Sequence, residues 1–436
     1  MECPKSATNM KINMVGLFCF LLALYCVPTL SKEVDLPTSG LIIVCAAYAL
    51  PILILEFFIL KPYKNTLDFS LENPKGNWPR VRIKLIGFYA CIAFVALIYW
   101  LFPEYKNEMY HGYYGVIENI LLVWMVLSIY YFYFIDTYSK EPKDQYYYFG
   151  MILMGKGKLE HIPMASQLLL GWLVKLFFLP LMFSYLGGNL ADFTSRDLDF
   201  ASMDFNDFYE LSTSIMFTVD LALAVMGYAL TFKIFDSHIR STEPTFLGWF
   251  IAIVCYQPFW RYIGENYINH DQPPEWDQVF MQHELLYITW GIMIITLYGI
   301  FVWSTAAFGA RFSNLTNRGI ITNGPYRYTK HPAYLSKNVV WWLMGLPFIA
   351  DAGILEGIRA SILLAMLNFI YFMRARTEER HLSYDPDYVA YAAYIEKHGL
   401  FRFVGSYLPF LKFKKGHLFN LTFKMDLNIY FDKNKI

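Results

Sequence analysis

Apolar stretches long enough to cross about 30 Å of hydrocarbon recur along the whole chain, and no other feature limits the fold so severely. Candidate spans lie at roughly 12–30, 41–60, 85–102, 115–135, 164–187, 214–232, 246–263, 283–304, 335–350 and 357–373. A backbone amide left unpaired in lipid costs several kcal/mol, so these runs must be helices, being far too long for barrel strands. The expected fold is all-α: a polytopic integral membrane bundle of about ten transmembrane helices. Composition agrees, since 56% of the 436 residues are hydrophobic and 17% charged. Many aromatics sit at run ends, as at Tyr99, Trp100 and Phe102 or Tyr256, Phe259 and Trp260, where amphipathic rings favour the headgroup level.

Lysine and arginine resist transfer across the bilayer, so their distribution orients the chain. The loop at 61–84 carries Lys61, Lys64, Lys75, Arg80, Arg82 and Lys84, whereas 103–114 has only Lys106 beside Glu104 and Glu108. Lys140, Lys143, Lys156 and Lys158 are followed by an acidic segment, 188–213, with Asp192, Asp197, Asp199, Asp204, Asp207 and Glu210. Lys233 and Arg240 come next, then Glu265, Asp271, Glu275 and Asp277, and finally Arg311, Arg318, Arg327 and Lys330. The alternation places both termini and the 305–334 loop on the cytoplasmic side. Lys5 and Lys11 before the first run also resemble the start of a secretory signal, so residues 12–30 are either the first span or a cleaved leader. Asn314 and Asn420, in Asn-x-Thr sequences, fall on the cytoplasmic side and should stay unmodified.

A net charge of zero gives no field that would gather nucleic acid. The six cysteines form no CxxC pair and have no histidine at ligand spacing, so neither a metal site nor a disulfide framework is expected.

The last two spans are joined by a short turn near Asp351 to Glu356, so they must run antiparallel as neighbours. Reflection about Gly353 and Ile354 brings residue 334 level with 373, 331 with 376 and 328 with 379. Two polar segments, NGPYRYTKHPAYLSKN at 323–338 and RARTEERHLSYDPDYVAY at 374–391, therefore meet at one membrane face. Asn323-Gly324-Pro325 is a turn signal, and Pro332 biases His331 away from helix. Glu378 and Glu379, adjacent on a helix, cannot point the same way.

The ordered set G-P-Y-R-Y-x-K-H-P-x-Y at 324–334, an apolar hairpin, E-E-R-x-L at 378–382 and D-x-x-Y-x-x-Y at 385–391 resembles the isoprenylcysteine carboxyl methyltransferase family, whose relatives include membrane phospholipid methyltransferases. The resemblance covers about residues 283–400. It implies a cytoplasmic S-adenosyl-L-methionine site between the hairpin helices and a lipid or lipid-modified acceptor arriving from the bilayer. By motif position, Gly324, Tyr326, His331, Pro332 and Tyr334 would line the cofactor pocket, and Glu378 and Glu379 would hold its polar groups. The family's usual Arg before His-Pro is Lys330 here, a point charge instead of a planar fork.

Residue chemistry is compatible with this. Tyr326, Tyr328 and Tyr334 offer ring faces to a sulfonium, and Arg327, Arg374 or Arg376 could orient a carboxylate acceptor. An amine acceptor would need a general base, for which His331 or Glu379 could serve. On this reading residues 1–240 form an N-terminal transmembrane region of unassigned role, 241–400 the methyltransferase-like core, and 401–436 a basic amphipathic tail containing Lys412, Lys414, Lys415 and Lys424. Two other functions stay open. One is an NADPH-dependent sterol-type reductase, which has a similar C-terminal hairpin; the other is a transporter, given Lys175 and Asp220 inside spans.

The charge alternation is directly testable. A cysteine placed at Thr329 in an otherwise cysteine-free chain should resist an impermeant thiol reagent added outside intact cells, and ready labelling would reverse the orientation.

Overall fold

The structure is a computed structural model that describes residues 2–30, 39–70, 74, 76–196, 202–268, 275–349 and 353–413. Lys75, Asp197, Asp199, His270, Asp271, Asp351, Asn420 and the tail after 413, with Lys414, Lys415 and Lys424, lie outside these residues. The described chain is an all-α polytopic membrane fold. Its main helices are α1 (Met10–Leu30), α2 (Leu41–Leu55), α3 (Trp78–Leu101), α4 (His111–Tyr138), α5 (Gln145–Leu153), α6 (Ile162–Ser195), α7 (Phe205–Ala229), α8 (Phe246–Ile253), α9 (Phe259–Tyr267), α10 (Glu284–Ala306), α11 (Pro332–Gly345), α12 (Ile354–Leu382) and α13 (Pro386–His398).

Among the described residues eight helices are long and apolar enough to cross a membrane, fewer than the ten expected. The two differences have local causes. The run at 246–263 breaks into α8 and α9 around Tyr256-Gln257-Pro258, because proline has no amide hydrogen to continue a helix. The run at 335–350 forms only the 14-residue α11, roughly 21 Å long at helical rise, and ends at Leu346 in a left-handed conformation.

The large core gathers buried residues of α1, α2, α6 and α7, including Phe20, Tyr48, Phe178, Leu186 and Tyr228. At Gly16 a β-carbon would stand 2.5 Å from Ile52, which explains how closely α1 packs on α2. The start of the chain then runs along the segment that follows α10. Thr8 Oγ1 donates to Ala307 O at 2.7 Å, Asn13 Nδ2 to Ala306 O at 2.9 Å, and Ala7 N to Ile320 O at 2.9 Å.

Several loop cations that served to orient the chain are spent inside the protein. Lys84 is fully buried, 3.0 Å from Asp136 and 3.3 Å from Asp144, and Arg80 pairs with Asp136 at 2.7 Å, tying α3 and α4 to the start of α5. Arg311 donates to Asp236 O and Phe235 O. Buried Arg318 donates to five carbonyls: Gly227 and Leu230 at the end of α7, Ser237, Ala310 and Phe312. Burial lowers its pKa to about 9, still leaving it charged near neutrality. Next to this knot, β1 (Ser241–Thr242) pairs antiparallel with β2 (Thr316–Asn317).

Arg318→Ala would strip a desolvated guanidinium from five acceptors, and a loss of about 3–5 kcal/mol is expected. Arg318→Lys should restore little, having three donors and no fork. Thermal unfolding in detergent measures this, and an unchanged midpoint for the alanine variant would remove Arg318 as a structural tie.

Candidate active site

Gly324 opens the first motif with φ +55°, a left-handed conformation that glycine adopts without strain. The short turn Gly324–Arg327 follows, and α11 starts at Pro332, whose ring is pre-set for the first helical position. His331, just ahead of it, is held out of the helix (φ −130°, ψ 59°). Helix α13 fixes the turn from behind: Tyr391 Oη donates to Tyr326 O at 2.8 Å, and Asp385, capping α13, accepts from Asn317 Nδ2 at 2.8 Å. The D-x-x-Y-x-x-Y segment is thus a strut, with Tyr388 and Tyr391 buried.

The hairpin brings the two motifs together about as reflection predicts. Tyr334 Oη donates to Glu378 Oε2 at 3.1 Å, and His331 Nε2 lies 3.1 Å from Glu379 Oε1. The two glutamates diverge. Glu379 is turned into protein, with Lys330 Nζ 2.8 Å from Oε1 and Arg376 Nη1 2.6 Å from Oε2. Lys330 also reaches Glu396 on α13 at 3.1 Å, a bridge between two separate carboxylates that a point charge makes without a planar fork. Glu378 faces a cavity.

That cavity has a volume of about 640 Å³, within the usual range for small-molecule sites. At one end stand Tyr326, Lys330, His331, Tyr334, Arg374 and Glu378. Tyr326 is partly buried, and desolvation followed by the Glu378 charge pushes its hydroxyl well above the usual range, so it remains a proton donor. His331 and Tyr334 stack with ring centroids 5.7 Å apart and planes 10° apart. The Arg374 guanidinium lies among three tyrosine rings, 5.0 Å from Tyr371, 5.3 Å from Tyr334 and 5.7 Å from Tyr256, and its Nη2 donates to Asn314 Oδ1 at 3.2 Å. The other part of the lining comes from the membrane helices and is largely apolar, with Met182 and Tyr185 of α6, Phe217 and Leu221 of α7 and Phe301 of α10, and with Asp220 of α7 and Thr305 of α10 among them.

Of the residues singled out from sequence, Tyr326, His331, Tyr334 and Glu378 line the cavity, whereas Gly324, Pro332 and Glu379 shape its wall without lining it. Arg327 and Tyr328 are exposed and outside it, and Arg376 is committed to Glu379. Arg374 is the motif arginine that reaches the cavity. Sequence reading passed over Asn314, which registers as an Asn-x-Thr acceptor but here joins Tyr228, Tyr256 and Arg374. Tyr256 likewise looked like an interfacial ring, and Lys337 carried no signal beyond its place in the motif. Lys175, one of the intramembrane charges, donates to Thr231 Oγ1 and lies 5.0 Å from the Trp172 ring, outside the cavity.

Residues 288–384 match the model of the isoprenylcysteine carboxyl methyltransferase (ICMT) family. The chain is therefore a membrane protein whose C-terminal region, from α10 through α12, is isoprenylcysteine carboxyl methyltransferase-like. No curated protein and no solved structure matches the chain.

The divergence of the glutamates separates two effects. Glu379→Ala leaves Lys330, His331 and Arg376 facing one another in a buried position, and a stability loss of about 3–5 kcal/mol is expected from thermal unfolding. Glu378→Gln should leave the unfolding midpoint within about 1 kcal/mol. A reversed order would mean that Glu378, not Glu379, holds the motifs together.

Proposed function

We propose that the protein is a membrane-embedded, S-adenosyl-L-methionine-dependent methyltransferase acting on a lipidic or lipid-linked acceptor, with carboxylate O-methylation favoured over amine N-methylation. The observation that carries this reading is one cavity with two unlike parts: motif-derived rings and a carboxylate in one, a largely apolar arm between membrane helices in the other.

The residues present suit the donor. Glu378, held by Tyr334 Oη, offers carboxylate oxygen to an ammonium, and the faces of Tyr326 and Tyr334 suit a sulfonium. When bound, the cofactor supplies a methyl group already activated by positive sulfur. The protein's tasks are then alignment and exclusion of water. Arg374 suits an anionic acceptor: its ring cage fixes the guanidinium plane, and Asn314 fixes its rotation. A carboxylate needs orientation and no deprotonation, which favours oxygen over nitrogen at a site where His331 Nε2 is already engaged by Glu379. The donor end lies at the face assigned to the cytoplasm by loop charge.

The first spans acquire a part in this scheme, since α6 and α7 wall the arm in which an acceptor's chain would lie.

Titration of the detergent-purified protein with S-adenosylhomocysteine tests the reading. Saturable binding is expected, weakened about tenfold by Glu378→Gln through loss of one charge-assisted hydrogen bond. Absence of binding by the wild type, together with binding of NADPH, would replace this reading by a reductase.

A further inference from the structure

The geometry points to a second polar subsite inside the membrane arm: we propose that Asp220 of α7 and Lys337 of α11 together hold a secondary amide of the lipid acceptor, Asp220 accepting from its N–H and Lys337 donating to its carbonyl. The proposal rests on the reading of the cavity as a methyl-transfer site and adds a chemical requirement on the acceptor.

Both residues line the cavity, and among the described residues neither has an ion-pair partner. Asp220 lies well inside α7, and Thr305 Oγ1 of α10 donates to its Oδ1 at 2.7 Å. The Lys337 ammonium lies 5.4 Å from the Phe301 ring, 5.5 Å from Trp341 and 5.8 Å from Tyr371. Phe301 and Thr305 stand about one turn apart on α10, so the Asp220 and Lys337 side chains are brought to the same stretch of the cavity, yet among the described residues they form no direct ion pair. A carboxylate and an ammonium within a bilayer lower their cost by closing on each other unless something belongs between them. Here each is propped by its own support, Thr305 on one side and three rings on the other, so the separation is built in.

The gap selects the chemistry. It asks for a donor toward Asp220 and an acceptor toward Lys337. An amide supplies these from two atoms with a fixed offset, whereas a hydroxyl must meet both charges through one oxygen. The surrounding Phe217, Leu221, Ala224 and Phe301 favour a carrier that is otherwise apolar. Asp220 lies outside the segment that matches the family, so this half of the subsite comes from the preceding region of the chain.

Equilibrium binding to the full-length protein in nanodiscs distinguishes the parts. The probes are S-farnesyl-N-acetylcysteine and the same compound methylated on the amide nitrogen. The wild type should bind the parent about tenfold more tightly, equivalent to roughly 1.4 kcal/mol. Asp220→Ala should bind the pair equally, and Lys337→Met should bind both more weakly while keeping their ratio. The proposal is overturned if the wild type does not discriminate, if discrimination survives in Asp220→Ala, if Lys337→Met binds with wild-type affinity, or if neither probe binds saturably. The lysine variant keeps the test alive should the aspartate variant fail to fold. S-adenosylhomocysteine binding to the same wild-type preparation reports separately on the cofactor reading.

Discussion

The guanidinium of Arg318 is the point from which the site's architecture is hung. Five carbonyls from three stretches of chain converge on it, so the end of α7, the turn through Ser237 and the loop at 310–312 take up one arrangement. Each carbonyl is buried or at a helix end, where an unpaired acceptor is costly. The β1–β2 pairing continues from this knot, and from it Glu243 receives Arg380 of α12 at 2.6 Å while Ser241 Oγ lies 3.0 Å from His381 Nε2. Charge thus reaches the last turn of α12 through a relay of fixed contacts. The helical register that turns Glu378 toward the cavity follows from anchoring its neighbours Arg376, Glu379 and Arg380 elsewhere.

Much of this was legible before the structure. Apolar run length gave helical spans because lipid admits little else, and the short turn between the last two spans brought the motifs together within three to five residues of the observed His331–Glu379 and Tyr334–Glu378 contacts. What sequence could not divide was the Glu378–Glu379 pair. Both are carboxylates at adjacent positions, and only the locations of Lys330, His331 and Arg376 decide which turns inward. The two runs that failed to become full spans show the same kind of limit: hydropathy adds up composition, while Pro258 and the left-handed Leu346 act on backbone geometry at single residues. Arg327 and Arg374 illustrate it again, since a motif arginine is equally charged whether it faces water or a cage of tyrosines.

The basic residues also have two distinct uses in one chain. Counting Lys84, Arg311 and Arg318 as markers of one membrane side treats them as solvated charge, but all three are buried and matched to carboxylates or carbonyls. The two roles are compatible because a cation beside a helix end near the interface can satisfy orphan carbonyls there.

The bonds from Thr8 and Asn13 to Ala306 and Ala307 join points separated by nearly three hundred residues. For a chain that enters the bilayer from its N-terminus onward, this sets an order of events. The segment holding Thr8 and Asn13 must wait for these partners until α10 has arrived, and the 306–323 loop cannot take up its contacts with that segment before then. Maturation of the site is therefore a late step of biogenesis, and a ribosome that stops before α10 leaves behind a product with its first helix still waiting for a partner.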